Sequence, residues 1–228
     1  MSMTESADLL QYSKRSFSQC GEDLILRHIF NSLKVAQPTY VDVGAHHPFR
    51  LNNTALFHLA GSRGINIEPN PELFALFQQE RPLDTNLNAG ISDTEGESTF
   101  YMIDPPVFGT FSREVADDFV TKHGFHLKNT VTVPCTTITN VLQKYFNGSC
   151  PDFISIDAEG VDEIIIDSII SNNLPFTAIC VETISFSNKG MGVKNQELIQ
   201  KLADSGYINY ADTNINTIFV KKDVWQRG

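Results

Sequence analysis

Short apolar runs alternate along this chain with stretches whose apolar residues recur at helical spacing. Thr39 to Gly44 carries the β-branched Val41 and Val43 and reads as a strand buried on both faces. Runs near 64–68, 85–91, 98–103, 129–136, 153–157 and 176–182 read the same way. Between them, Asp23 to Leu33 places Leu24, Ile25, Ile29, Phe30 and Leu33 along one side of a helix, with Ser18 as a nearby cap. Further helices are expected near 52–60, at 71–79 with Pro71 in its first turn, at 161–170 and at 195–203. Tyr207–Tyr210 and Thr217–Lys221 suggest a closing antiparallel hairpin around Asp212-Thr213-Asn214. Strand and helix in turn is the rhythm of a βαβ protein. Residues 104–128 interrupt it with Pro, Gly and aromatics, the composition of a positioned functional loop, and are expected to build an acceptor pocket or lid. There, Phe108 and Phe111 either stack on a sugar face or fill the core.

Composition narrows the class. At 228 residues, 41% hydrophobic and 19% charged, the chain suits one domain over 1–228, with 1–38 as a helical lead-in; no repeat or linker argues for a second. No apolar run reaches the roughly 18 residues a membrane span needs, and Met1 to Ser6 lacks the marks of a secretion signal, so a cytoplasmic protein is expected. Cys20, Cys135, Cys150 and Cys180 show no metal-ligand spacing and read as reduced thiols. A net charge of −10 and a pI near 5.0 argue against a nucleic-acid surface and favour a small-molecule or carbohydrate partner.

The densest chemistry lies in Val41-Asp42-Val43-Gly44-Ala45-His46-His47-Pro48 and Gly64-Ile65-Asn66-Ile67-Glu68-Pro69-Asn70. Two apolar strands, one ending in Asp-x-Gly-Ala and the next in an acid, suit a nucleoside at the carboxyl edge of a parallel sheet. Gly44 lets backbone approach a ligand closely, and Glu68 can accept hydrogen bonds from both ribose hydroxyls. A pyrophosphate needs Gly-x-Gly-x-x-Gly, and no second or third glycine follows Gly44, so NAD is disfavoured. S-adenosylmethionine fits better. The competing readings are an NAD-type oxidoreductase and a noncatalytic nucleoside-binding protein that keeps Asp42 and Glu68 but tolerates loss of Asp157 and Glu182; separately, Asp42 and Glu68 could do no more than cap helices at the strand ends.

Ser18-Gln19-Cys20-Gly21-Glu22-Asp23, Val41-Asp42-Val43-Gly44-Ala45, Ile67-Glu68-Pro69-Asn70, Asn88-Ala89-Gly90-Ile91-Ser92 and Ile156-Asp157-Ala158-Glu159-Gly160 occur in that order over roughly residues 17–185. In this the chain resembles the FkbM-type S-adenosylmethionine-dependent methyltransferases. The resemblance implies an α/β, Rossmann-like class I methyltransferase fold, a mostly parallel seven-stranded sheet with helices on both faces. It also implies O-methylation, often of sugars, which makes a hydroxyl in a polysaccharide or glycoconjugate the expected acceptor and S-adenosylhomocysteine the product. Carried over by motif, Asp42, Gly44 and Ala45 lie under the methionine and ribose, with His46 in the same loop. Glu68 then meets the ribose, with Pro69 beside it, and Asn88 and Ala89 lie by the adenine. Gln19 to Asp23 either flank the methionine tail or serve as first-turn residues of a helix. His46-His47-Pro48 departs from the family's usual glycine-rich loop.

An alcohol acceptor also needs a proton acceptor. Asp157 and Glu159, after one strand, and Glu182, at the end of the next, are the candidates, with Asp157 as base or metal ligand. Glu159 could instead cap the following helix. His46, His47, His123 and His126 are alternative bases. Mg²⁺ is possible but not favoured, since no dense Asp-Asp pair marks a site, and no metal ligand is assigned.

Overall fold

The computed structural model describes residues 11–158, 160–185 and 192–227. Among the described residues the main sheet has seven strands, in the order β3 (Thr85–Leu87), β2 (Gly64–Ile67), β1 (Tyr40–Val43), β7 (Phe153–Ile156), β8 (Ala178–Glu182), β10 (Asn216–Lys221), β9 (Tyr207–Asp212). Its pairings are parallel except for β10, which runs antiparallel to both neighbours. A second sheet joins β4 (Gly90–Ile91), β6 (His126–Thr136) and β5 (Gly96–Asp104).

Both faces of the main sheet are covered, and the alternation of strand side chains sorts the two cores. Val41, Val43, Ile154, Ile156, Ile179 and Val181 pack against α5 (Ile138–Tyr145), α6 (Asp162–Ser171) and α7 (Gln196–Asp204). The intervening Tyr40, Phe153, Ala178 and Cys180 pack against α1 (Glu22–Ser32) and Phe57 of α2 (Ala55–Leu59). Continuous apolar runs are what a doubly covered parallel sheet requires. Helix α3 (Pro71–Glu80) starts at Asn70, whose side chain accepts from Glu72 N, and α8 (Lys222–Trp225) follows β10.

Two expectations are corrected. The run at 85–91 is not one strand: Asn88 Nδ2 donates to the carbonyls of Glu68 and Pro69, both at 2.9 Å, and the chain leaves the main sheet there for the second one. Residues 104–128 are not an irregular loop, because α4 (Arg113–His123) occupies much of them, capped by Ser112 and ended by Gly124 in the left-handed region. Phe108 stacks on Phe125 at 4.4 Å, and Phe111 packs on Phe100 at 5.1 Å, so both rings serve the packing of this insert. Helix α5, capped by the Thr137 hydroxyl, was not expected at all.

Candidate active site

Register brings the candidate residues into one row. Val43 is level with Ile67 on one side and Ile156 on the other, and Ile156 is level with Val181. The next residues along β2, β1, β7 and β8 are therefore Glu68, Gly44, Asp157 and Glu182, side by side at the carboxyl edge. Strands about 4.8 Å apart put the Glu68 and Asp157 backbones on the order of 10 Å apart, with glycine between them. Sheet order reverses at this point, since β2 lies on one side of β1 and β7 on the other, which is where open α/β sheets hold ligands.

Gly44 is required here. Its φ is 70°, and a Cβ would lie 1.8 Å from the Asp157 carbonyl oxygen. Its N–H and that of Ala45 both donate to Ile67 O, at 3.0 and 3.1 Å, which ties the loop to β2. His46 is also left-handed, with φ 55°, and its N–H donates to Glu68 Oε2 at 2.7 Å. Glu68 Oε1 accepts from Asn70 N at 2.7 Å. Burial nevertheless dominates and pushes the Glu68 carboxyl up to about 8, helped by the charges of Asp42 and Asp157.

The cleft above this row is lined by Gly44, His46, Glu68, Pro69, Ala89 and Asp157, and closed by Phe100 of β5 and by Pro106, Val107, Gly109 and Phe111 of the insert. It is narrow, about 50 Å³. His46 Nδ1, at its wall, is buried with no hydrogen-bond partner.

Beyond the cleft, the Asp157 carboxyl hydrogen-bonds the Glu182 side chain, so the two acids share a proton. Burial pushes Asp157 up to about 7, with the charges of Asp162 and Asp42 adding to it. Asp157 faces the cleft, whereas Glu182 lines a second, wider groove of about 650 Å³. The pair therefore stands in the wall between the two spaces.

Other expected residues are placed differently. Asp42 does not line the cleft. It alternates with Val41 and Val43 and so faces the α1 side of the sheet, where its carboxylate accepts from Asn52 Nδ2 at 2.9 Å and Thr54 Oγ1 at 2.7 Å. Ala45 is buried, and its carbonyl accepts from Asn52 Nδ2 at 3.0 Å. Asn88 braces Glu68 and Pro69 from outside the cleft. Gln19 is exposed and lies outside the cleft lining, and Glu159 falls outside the described residues.

Glu22 and Asp23 open α1 and are fully buried. Asp23 accepts from Ser16 Oγ, Phe17 N and Ser18 Oγ. Burial alone would raise Glu22, but hydrogen bonds from Thr213, Cys20 N, its own N–H and Asn216 outweigh it and hold the carboxyl below its usual range. His47 Nδ1 accepts from Phe49 N at 3.1 Å, His123 lines the wide groove, and His126 is exposed on β6.

Sequence reasoning expected a pocket or lid in residues 104–128, which hold Pro106, Val107, Gly109 and Phe111, but it did not single out Phe100 or the groove acids Asp118, Asp162 and Glu163. The last two were signalled by Val161-Asp162-Glu163 at a helix start. Among the described residues, no three His, Cys, Asp or Glu side chains converge to hold a metal ion, and no helix is long and apolar enough to cross a membrane.

Similar solved structures include a TehB-like S-adenosylmethionine-dependent methyltransferase from Corynebacterium glutamicum (10% identity, 96% of each chain covered, TM-score 0.45). The Burkholderia thailandensis 1,6-didemethyltoxoflavin-N1-methyltransferase, solved with its substrate and S-adenosylhomocysteine, is 10% identical over 96% of this chain and 87% of that one, with a TM-score of 0.44. An O-methyltransferase from Bacillus cereus in complex with S-adenosylhomocysteine is 12% identical over 96% and 87%, with a TM-score of 0.43. No curated protein matches the chain. The model of the methyltransferase FkbM domain matches residues 42–208, well over half of the sequence, from Asp42 through the acidic row to β9. The chain belongs to this FkbM family of S-adenosylmethionine-dependent methyltransferases.

Proposed function

We propose that this protein, acting as one domain, moves a methyl group from S-adenosylmethionine to a sugar hydroxyl of a polysaccharide or glycoconjugate, with the Asp157–Glu182 pair taking the hydroxyl proton. The observation that carries this reading is the shared-proton pair standing between a nucleoside-sized row of groups and an open groove.

The residues suit the cofactor. Glu68 offers an acid at the end of β2 for a ribose, and Gly44 leaves floor space with no side chain. His46 Nδ1 is a buried polar atom in need of a partner. The surrounding carboxyls, held protonated by burial, are favoured to ionise beside a cationic ligand. Because the cleft is narrow, the 106–111 segment must draw back to admit an adenosyl group. When bound, S-adenosylmethionine supplies a methyl carbon made electrophilic by its sulfonium.

The chain's own work is alignment and proton removal. Backbone around Gly44, with Glu68 and His46, sets the cofactor's direction, and the groove beside Glu182 holds the acceptor oxygen in line. With the acceptor oxygen so held, the hydroxyl proton would pass to the Asp157–Glu182 pair. Asp157, pushed up to about 7, is suited to accept it.

Labelled cofactor, a panel of candidate glycans and mass spectrometry of the product test the reaction. Asp157→Asn tests the base: turnover should fall by about 10²- to 10⁴-fold with cofactor affinity within a few-fold of the parent protein. Parent-level turnover in that variant, with affinity unchanged, would remove Asp157 from the role.

A further inference from the structure

The wide groove is bounded by α4, the start of α6, the end of β8 and the start of α7. Its charged lining is of one sign: Asp118, Asp162, Glu163 and Glu182, with neither Lys nor Arg among the described lining residues. Nearby cations are engaged. Lys122 pairs with Asp118 itself at 2.7 Å, Lys201 with Asp167 at 3.1 Å, and Lys194 with Asp212 at 2.8 Å. Glu163 accepts from Asn195 Nδ2 at 2.6 Å, which holds one carboxylate oxygen and leaves the other for a ligand. Asp162 accepts from Ala158 N at 3.1 Å, which fixes it at the helix start. The rim adds exposed Ile164 and Val193, apolar surface for the carbon face of a ring.

We infer that this groove selects acceptors rich in O–H or N–H donors and free of anionic groups, which is to say neutral or amino sugars and not phosphorylated, sulfated or uronic ones. The inference rests on the proposed function and deepens it. Ionised carboxylates only accept hydrogen bonds, so hydroxyls and ammonium groups satisfy them. A phosphate or carboxylate on the acceptor would bring two like charges together in a groove whose described lining residues include neither Lys nor Arg, and selectivity follows from that repulsion as much as from the attraction. Glu182 belongs to both the groove and the proton-sharing pair, so an acceptor seated there is next to the base.

The test uses the full chain saturated with S-adenosylhomocysteine and three trisaccharides of similar size: maltotriose, a glucosamine trimer and trigalacturonate. Calorimetry should show the neutral and amino trimers binding at least tenfold more tightly than the acid. Asp118→Lys combined with Glu163→Lys should shift the ratio of amino to acid trimer by at least tenfold towards the acid. The milder Asp118→Asn, Glu163→Gln protein should lose the amino preference. S-adenosylhomocysteine affinity should stay within twofold in both, showing that the variants are folded. Equal or tighter binding of trigalacturonate to the parent protein, indifference of the ratio to both double variants, or no trimer binding at all would overturn the inference. A parent protein unable to bind S-adenosylhomocysteine would fail at the earlier step and take the proposed function with it.

Discussion

Glu68 is held by two opposing influences. Its carboxylate oxygens accept backbone N–H groups at 2.7 Å each, which favours charge, yet burial pushes its titration up to about 8. To accept both hydroxyls of a ribose it must be ionised, so binding has to release the proton that the free protein carries at neutral pH. Cofactor affinity should therefore weaken by up to about tenfold for each pH unit below 8 and level off above it, as a single titrating group dictates. Glu68→Gln should flatten that profile and cost about ten- to a hundredfold in affinity, the usual worth of a charged hydrogen bond. Calorimetry from pH 6 to 9 reads both, and a steep profile surviving in the variant would assign the proton elsewhere. The acids at strand ends were legible because only a few positions follow an apolar run into a crevice. Asp42 was misread because a two-residue period turns it to the opposite face from its valine neighbours. His46 was named from its place beside the Gly44 turn, but its left-handed backbone and unpartnered Nδ1 arise from the fold around it and had no sign in the sequence.

At the scale of elements, the long apolar strands announced themselves, while helices with thin buried faces did not. Helix α4 buries only Ala116 and Phe119 among its described residues, and the prolines and glycine before it pointed to a loop. Helix α5 buries Ile138, Val141 and Leu142, a helical spacing present in the sequence but hidden behind the β-branched run that precedes it. Arg81, just past α3, was equally invisible, because its meaning lies in contacts between elements. It is fully buried, its Nε donates to Asp84 at 2.9 Å, and its Nη2 donates to Tyr40 Oη at 2.6 Å and Thr54 Oγ1 at 3.0 Å. Because Thr54 also donates to Asp42, this one guanidinium links α3, β1 and the loop that carries the Gly44 turn. Arg81→Met should cost about 3–5 kcal/mol in urea unfolding, since it leaves a buried carboxylate without its cation. A loss below 1 kcal/mol would mean that Tyr40, His58, Asn66 and the Gly64 N–H, the other partners of Asp84, suffice alone.

For the molecule as a whole, the consequence of gathering acids at one sheet edge is a stability that falls as pH rises. Asp157 and Glu68 titrate near 7 and 8 in the fold, against ordinary values of 3.8 and 4.5. The folded chain therefore binds more protons than the unfolded one above about pH 4.5, and the stabilisation from these groups is lost as pH climbs through the folded values. The opposite influence, from His46, His47 and His58, all lowered by burial, acts only as pH falls below about 6.5. From pH 7 to 8.5 Glu68 and Asp157 dominate, with the raised thiols of Cys20, Cys150 and Cys180 acting in the same direction near the top of the window, and stability should fall by about 1–2 kcal/mol. For a chain of this length that is a Tm lower by about 3–6 °C. Glu68→Gln should remove more than half of the slope while Asp157→Asn removes less, because Asp157 is already half ionised at the start of the window. Scanning calorimetry of the three ligand-free proteins measures this. A flat Tm across the window in the parent protein would show that the strand-end acids are already ionised in the ligand-free fold, and that cofactor binding has no proton to release from Glu68.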